Sequence, residues 1–163
     1  MRDQKEVLVQ DLGDPIEINR YKEFKVYRRD VTFGTPLYFA PYFTRNAKQK
    51  EGEGICYLSK ILGVLTISPD QIDSFEDELL LYSENNKGMV SLWKNGVKSD
   101  PLSKTLTYYF LDEAVSLSTP LLKDGGKEKG RGKNWVAAMI PKNRCVTFQE
   151  FTKRMVLANK NAN

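Results

Sequence analysis

The sequence predicts an α+β protein, a curved or barrel-like mixed β-sheet packed by two or more helices, and three observations lead there. Short β-rich runs recur along the 163 residues, separated by Gly, Pro, Asn or Asp. Their spacing suits a twisted sheet or small barrel and not a series of βαβ units. Two segments carry the capping grammar of helix starts, one in the middle of the chain and one near its end.

The strand candidates are residues 6–12, 23–29, 36–44, 55–67, 89–95, 105–111, 114–117 and 135–140. Gly63 interrupts the longest of them and marks a bulge or bend. "KNG" at 94–96 reads as a tight turn, with Gly96 free to take a positive φ. In "ISPDQI" Ser68 is the expected N-cap, Pro69 the first helical residue and Gln71 the return half of a capping box. Ile72, Phe75, Leu79 and Tyr82 then recur at helical spacing and predict one buried stripe. In "VTFQEF" Thr147 and Glu150 form a second box, followed by a stripe of Phe148, Phe151 and Met155. The expected organisation is a single domain over 1–163. A mobile basic glycine-rich loop occupies 123–134, and a frayed tail 159–163.

Composition narrows the chemistry. There is no histidine, which removes Ser-His-Asp and Cys-His catalysis and any histidine base or histidine-containing zinc site. Cys56 and Cys145 sit in apolar surroundings far apart in sequence and read as buried free thiols. No apolar run approaches the roughly 20 residues of a membrane helix, and the first ten residues lack a secretory apolar core, so the expected location is cytoplasmic. No cofactor or metal is expected. The net charge of +4 is uneven: residues 1–50 carry 10 basic and 7 acidic groups, 51–100 carry 4 and 9, and 101–163 carry 11 and 5. Basic ends around an acidic middle point to a polyanionic partner if folding gathers them on one face, and otherwise to mixed surface charge.

Aromatic side chains next to cations supply the candidate contacts. In "PLYFAPYFT" period-2 alternation puts Leu37, Phe39, Pro41 and Phe43 on a core face. Tyr38 and Tyr42 fall on the other, where they either half-bury or stack on a base. Trp93, beside Lys94, and Trp135, after the basic loop, each place an indole next to a cation at an expected strand end. Arg28, Arg29, Arg45, Lys129, Arg131 and Lys133 are the candidate phosphate contacts, each neutralised phosphate releasing counterions. "GGKEKGRGK" lacks the spacing of a P-loop and runs into a strand, so it is no nucleotide cradle. Asp14 followed by Glu23-Phe24-Lys25 loosely fits a metal-dependent nuclease of the restriction type, the enzymatic alternative. The acids at 73–78 read as a solvated helix face.

"TPLYFAPYFTRN" followed after a short polar interval by "GICYLSKILGVLTI" resembles the central hairpin of PUA-like domains, the group that includes the EVE, ASCH and YTH modules. "TLTYYFLDEAVSLSTPLLKDGG" looks like a later barrel hairpin with its outgoing loop. The resemblance spans roughly residues 20 to 155. The Gly-x-Lys-x-x-Glu-x-Arg signature of ASCH domains does not occur, and the YTH aromatic cage cannot be assigned residue by residue, so neither ligand specificity carries over. The resemblance implies a cleft that reads a nucleobase in DNA or RNA, often a modified or flipped one. Some bacterial and archaeal members are recognition parts of modification-dependent restriction systems. The expected function is therefore nucleic-acid recognition without catalysis, with a protein-interaction subunit of a larger defence or processing assembly as a further alternative.

Overall fold

Residues 6–30, 36–100, 104–122 and 145–162 are described by the structure, a computed structural model. The expected 123–134 loop and 135–140 strand, with Lys129, Arg131, Lys133 and Trp135, lie outside them. In chain order the elements are β1 (Val7–Leu12), α1 (Pro15–Asn19), a π-helical turn (Arg20–Phe24), β2 (Val26–Arg29), β3 (Tyr38–Phe43) and a 3-10 turn (Arg45–Ala47). They continue with β4 (Gly54–Ile67), a 3-10 stretch (Pro69–Phe75), α2 (Glu76–Tyr82), α3 (Lys87–Lys98), β5 (Leu106–Leu111), β6 (Val115–Leu121), β7 (Cys145–Val146) and α4 (Phe148–Ala162). The fold is α+β, as the strand spacing and helix caps predict. It forms two compact units, residues 1–15, 33–59 and 114–163, and residues 16–32 and 60–113.

In the first unit β1 and β3 pair in parallel, from Val7 opposite Tyr38 to Leu12 opposite Phe43. Both are buried on both faces, which explains why they read as nearly continuous apolar runs. The first half of β4 lies beside β3 and pairs with β6 through Ile55, Tyr57 and Leu58, while β7 pairs antiparallel with β1. Helix α4 starts where expected: Thr147 Oγ1 accepts from the Glu150 N–H at 3.0 Å. Its stripe of Phe148, Phe151 and Met155 packs on Val7, Val9, Ala40, Tyr42, Ile55, Leu121 and Val146. Cys56 is buried and Cys145 half-buried, and neither is in a disulfide.

In the second unit the rest of β4, β5 and β2 pair antiparallel. The register shifts between Ile61 and Gly63, where the bulge was expected. The Tyr82 ring lies directly over Gly63: a Cβ there would come within 2.1 Å of it. Gly63→Ala is therefore expected to destabilise by about 1–3 kcal/mol through overpacking, read as a lowered urea midpoint; relief in Gly63→Ala/Tyr82→Ala would identify the clash as the cause. The Ser68 N–H donates to Gln71 Oε1 at 3.0 Å. Ile72 and Leu79 are buried with Phe75 and Tyr82 beside them, as the helical spacing predicts.

Residues 89–95 are the main departure. They form the middle of α3 and not a strand, and "KNG" is helix interior and not a turn. The Asn86 side chain caps α3, accepting from the Met89 N–H at 3.0 Å. Met89, Val90, Trp93 and Val97 then fall on one buried face. Gly96 lies where an added Cβ would meet Phe24 Cβ at 2.8 Å, so close helix approach accounts for it and positive φ does not. Among the described residues no helix is long and apolar enough to cross a membrane.

Candidate functional site

Two clusters of polar side chains stand out among the described residues, one in each unit. The first is buried in the second unit. A π-helical turn, a form frequent at functional sites, ends at Lys25, which takes a left-handed conformation (φ 57°). The turn carries Arg20 inward. Its Nη1 donates to Glu17 Oε2 at 2.7 Å, and its Nη2 to Asp100 Oδ1 at 3.0 Å and Ser99 Oγ at 3.1 Å.

From β2, Arg28 Nη2 donates to the same Glu17 oxygen at 2.8 Å. Its Nε lies 2.9 Å from Asp100 Oδ1 but off the hydrogen-bonding line, which makes this a contact of charges. Tyr108 of β5 donates to Asp100 Oδ2 at 2.8 Å, and burial together with that carboxylate holds its pKa well above the ordinary tyrosine value. The Arg20 and Asp100 side chains are 6% and 2% exposed. Two cations and two anions close on one another, Arg20 and Asp100 nearly dry and Arg28 and Glu17 partly exposed, so the cluster is internally neutralised and offers little charge to a ligand.

The second cluster belongs to the first unit and surrounds the turn between β3 and β4. Tyr42 donates from its hydroxyl to Glu53 Oε2 at 2.8 Å. Glu53 Oε1 accepts from Arg45 Nε at 3.4 Å. Tyr57 donates to Glu51 Oε2 at 2.7 Å, and this bond, ahead of burial, pushes the tyrosine pKa up to about 12. Arg45, Lys48 and Lys50 are exposed, the Arg45 side chain by 87%.

The expected contact residues fall differently from the sequence reading. Trp93 is wholly buried, its indole N–H donating to the Leu111 carbonyl at 3.1 Å and its ring packed on Phe110; it is a core anchor and presents no face to a base. Lys94 is held between Asp73, at 3.3 Å, and Glu76, and the Glu76 carboxylate keeps its pKa raised. Asp73 in turn is held below the ordinary carboxylate range by Lys98 and Lys94. Arg28 is tied into the buried cluster. Arg29, half-buried, hydrogen-bonds Tyr27. The β3 face expected to open on a groove is covered: Tyr38 stacks on Phe148 with ring centroids 5.1 Å apart, and Tyr42 is buried. The first face is core except at its start, where Leu37 is 49% exposed. Of the described candidates only Arg45 is largely exposed to solvent.

The sequence reading missed Arg20, Asp100, Glu51, Glu53, Lys48 and Lys50. Only "RNAKQKEGE" carried a local signal, cations and acids crowded into one turn. The nuclease pattern is not assembled as expected. Glu23 lies on the π-helical turn and not on a strand, and Lys25 ends that turn and pairs with Glu113 at 3.2 Å. No group of three or more acids or cysteines able to hold a metal ion occurs among the described residues.

No protein-family model matches the sequence, and no curated protein does. Among solved structures the chain is similar to a mutant ASCH protein from Zymomonas mobilis, with TM-score 0.50 and 12% identity, covering 96% of this chain and 99% of that one. A second structure of ASCH from Zymomonas mobilis matches with TM-score 0.49 and 10% identity over 94% and 95%. The N-terminal domain of Staphylothermus marinus McrB follows with TM-score 0.41 and 12% identity over 76% and 79%. At such identity the first likeness speaks for fold. The chain shares the architecture of that ASCH structure.

Proposed function

We propose that the protein is a non-catalytic nucleic-acid-binding module whose contact surface belongs to the first unit. The supporting observation is how charge is divided. The first unit carries 15 basic and 9 acidic residues, net +6, and the second 10 and 12, net −2. Within the second unit Arg20, Lys25, Arg28, Lys94, Lys98 and Lys104 each make an ion pair. The cationic excess is thus concentrated in the unit where Arg45, Lys48 and Lys50 face solvent, and such an excess attracts a phosphate backbone. Lys129, Arg131 and Lys133 add to it in sequence, and Trp135 is the ring proposed to stack on a flipped or modified base. Phosphate contacts would position the strand while the ring selects the base.

Fluorescence polarisation with labelled single-stranded and duplex RNA and DNA tests this. For about three phosphate contacts to a single strand, affinity is expected to fall by about 20-fold between about 50 and 200 mM salt. Absence of binding, or an affinity indifferent to salt, would refute the reading.

A further inference from the structure

The turn between β3 and β4 sorts its charges by depth. Both of its carboxylates are half-buried, Glu51 on the Tyr57 hydroxyl and Glu53 on the Tyr42 hydroxyl. Its three cations, Arg45, Lys48 and Lys50, are exposed. The backbone is built for this. Ala47 is buried and pins the middle of the turn, and the Gln49 side chain donates to its carbonyl at 3.4 Å. Lys48 takes φ 53°, and Gly52 and Gly54 take φ 88° and 122°, positive values that glycine adopts without steric cost. Gly54 also leaves no room for a side chain, since a Cβ would lie 2.9 Å from the Leu121 carbonyl oxygen.

The electrostatic consequence follows from the donor type. A tyrosine hydroxyl satisfies a carboxylate without cancelling a cation, whereas a carboxylate released from it is free to pair fully with the nearest guanidinium. From residue 45 to 53 the net charge is only +1, three cations against two acids, so binding strength depends on keeping the acids back. The remaining Arg45–Glu53 contact is long, at 3.4 Å, and exposed. Exposed pairs of that kind contribute little, and a charge-assisted bond to phosphate readily replaces them.

We infer that the 44–53 turn is a preorganised phosphodiester clip for nucleic acid, in which Arg45, Lys48 and Lys50 contact phosphates and Tyr42 and Tyr57 are positioning residues that anchor Glu53 and Glu51 and leave Arg45 only a long contact to Glu53. This rests on the nucleic-acid reading above and adds to it the place of contact and the role of the two hydroxyls. Tyr42, expected from the sequence to stack on a base, acts in this arrangement through Glu53.

The test is polarisation with a fluorescein-labelled ten-nucleotide oligouridine RNA at about 50 to 200 mM salt, each variant's thermal midpoint being checked first. Arg45→Ala/Lys48→Ala/Lys50→Ala is expected to weaken binding at least about tenfold and to make the salt slope shallower by about 2. Tyr42→Phe keeps the ring and removes the hydroxyl; it is expected to weaken binding about threefold. Glu53→Gln keeps an acceptor for Tyr42 and removes the charge; it is expected to strengthen binding about threefold. Tyr42→Phe/Glu53→Gln should bind like Glu53→Gln alone, a pattern that a merely structural role for Tyr42 would not produce. If the wild-type chain binds with the expected salt slope and the triple variant matches it, the clip is wrong while the nucleic-acid reading stands. If the wild type binds nothing, both fall. A Tyr42→Phe variant that binds as tightly as wild type overturns the positioning role.

Discussion

Asp100→Ala is expected to lower the unfolding free energy by about 3–5 kcal/mol, the range for breaking one side of a buried ion pair. The reason is what stays behind. Asp100 Oδ1 takes a bond from Arg20 and a charge contact from Arg28, and Oδ2 accepts from Tyr108, in a site where the carboxylate is 2% exposed. Without it two guanidiniums share the single carboxylate of Glu17, Tyr108 loses its acceptor, and Arg20, whose Nε already has no acceptor, cannot reach bulk water. Asp100→Asn should cost less, because an amide oxygen still accepts, yet the charge imbalance remains. Replacing the whole group with apolar residues of similar volume is a different experiment and should cost little, since the desolvation of four charges is avoided. Urea titration decides the matter. A loss below about 1 kcal/mol for Asp100→Ala would mean that water reaches Arg20, and that the cluster is a solvated surface network.

The same cluster shows where local sequence stops being informative. Arg28 is legible as a cation, but the residue that consumes it lies 72 positions further on, after α3. Nothing in "VYRRD" distinguishes an arginine aimed at phosphate from one aimed at an interior aspartate. Strands β3 and β5 are legible because burial makes their sequences apolar along nearly their whole length, and the starts of α4 and of the 3-10 stretch because each cap is a short-range pattern. The bulge at Gly63 is legible too, although the Tyr82 ring that leaves no room there for a side chain is not. The second face of β3 is misread because alternation reports how polar a face is, and a tyrosine hydroxyl can be satisfied inside. Tyr42 meets Glu53 there, and Tyr38 meets Phe148, 110 positions away. Helix α3 is misread because Val90, Trp93 and an Asn-Gly pair imitate a strand and its turn. The 89, 93, 97 spacing and the Asn86 cap carried the correct signal.

Trp93→Ala is expected to cost about 3–5 kcal/mol, the range for truncating a large buried aromatic, and to leave nucleic-acid affinity unchanged at temperatures well below unfolding. The ring is wholly buried against Phe110, and its N–H satisfies the Leu111 carbonyl. Trp93→Phe should therefore cost less but more than nothing, because it leaves that carbonyl without its donor and a void beside β5. Fluorescence separates the structural from the contact role, since the chain has only two tryptophans. In a Trp135→Phe variant all tryptophan emission comes from Trp93. It should be shifted to short wavelength, resist acrylamide, and stay constant when oligouridine is added at saturating concentration. Emission near that of free tryptophan would contradict the burial, and quenching by the RNA would put an indole of the second unit in contact with ligand. Constant emission in that variant, with a ligand-dependent change in the wild type, leaves Trp135 as the fluorophore that responds to RNA, the behaviour required of a ring that stacks on a base.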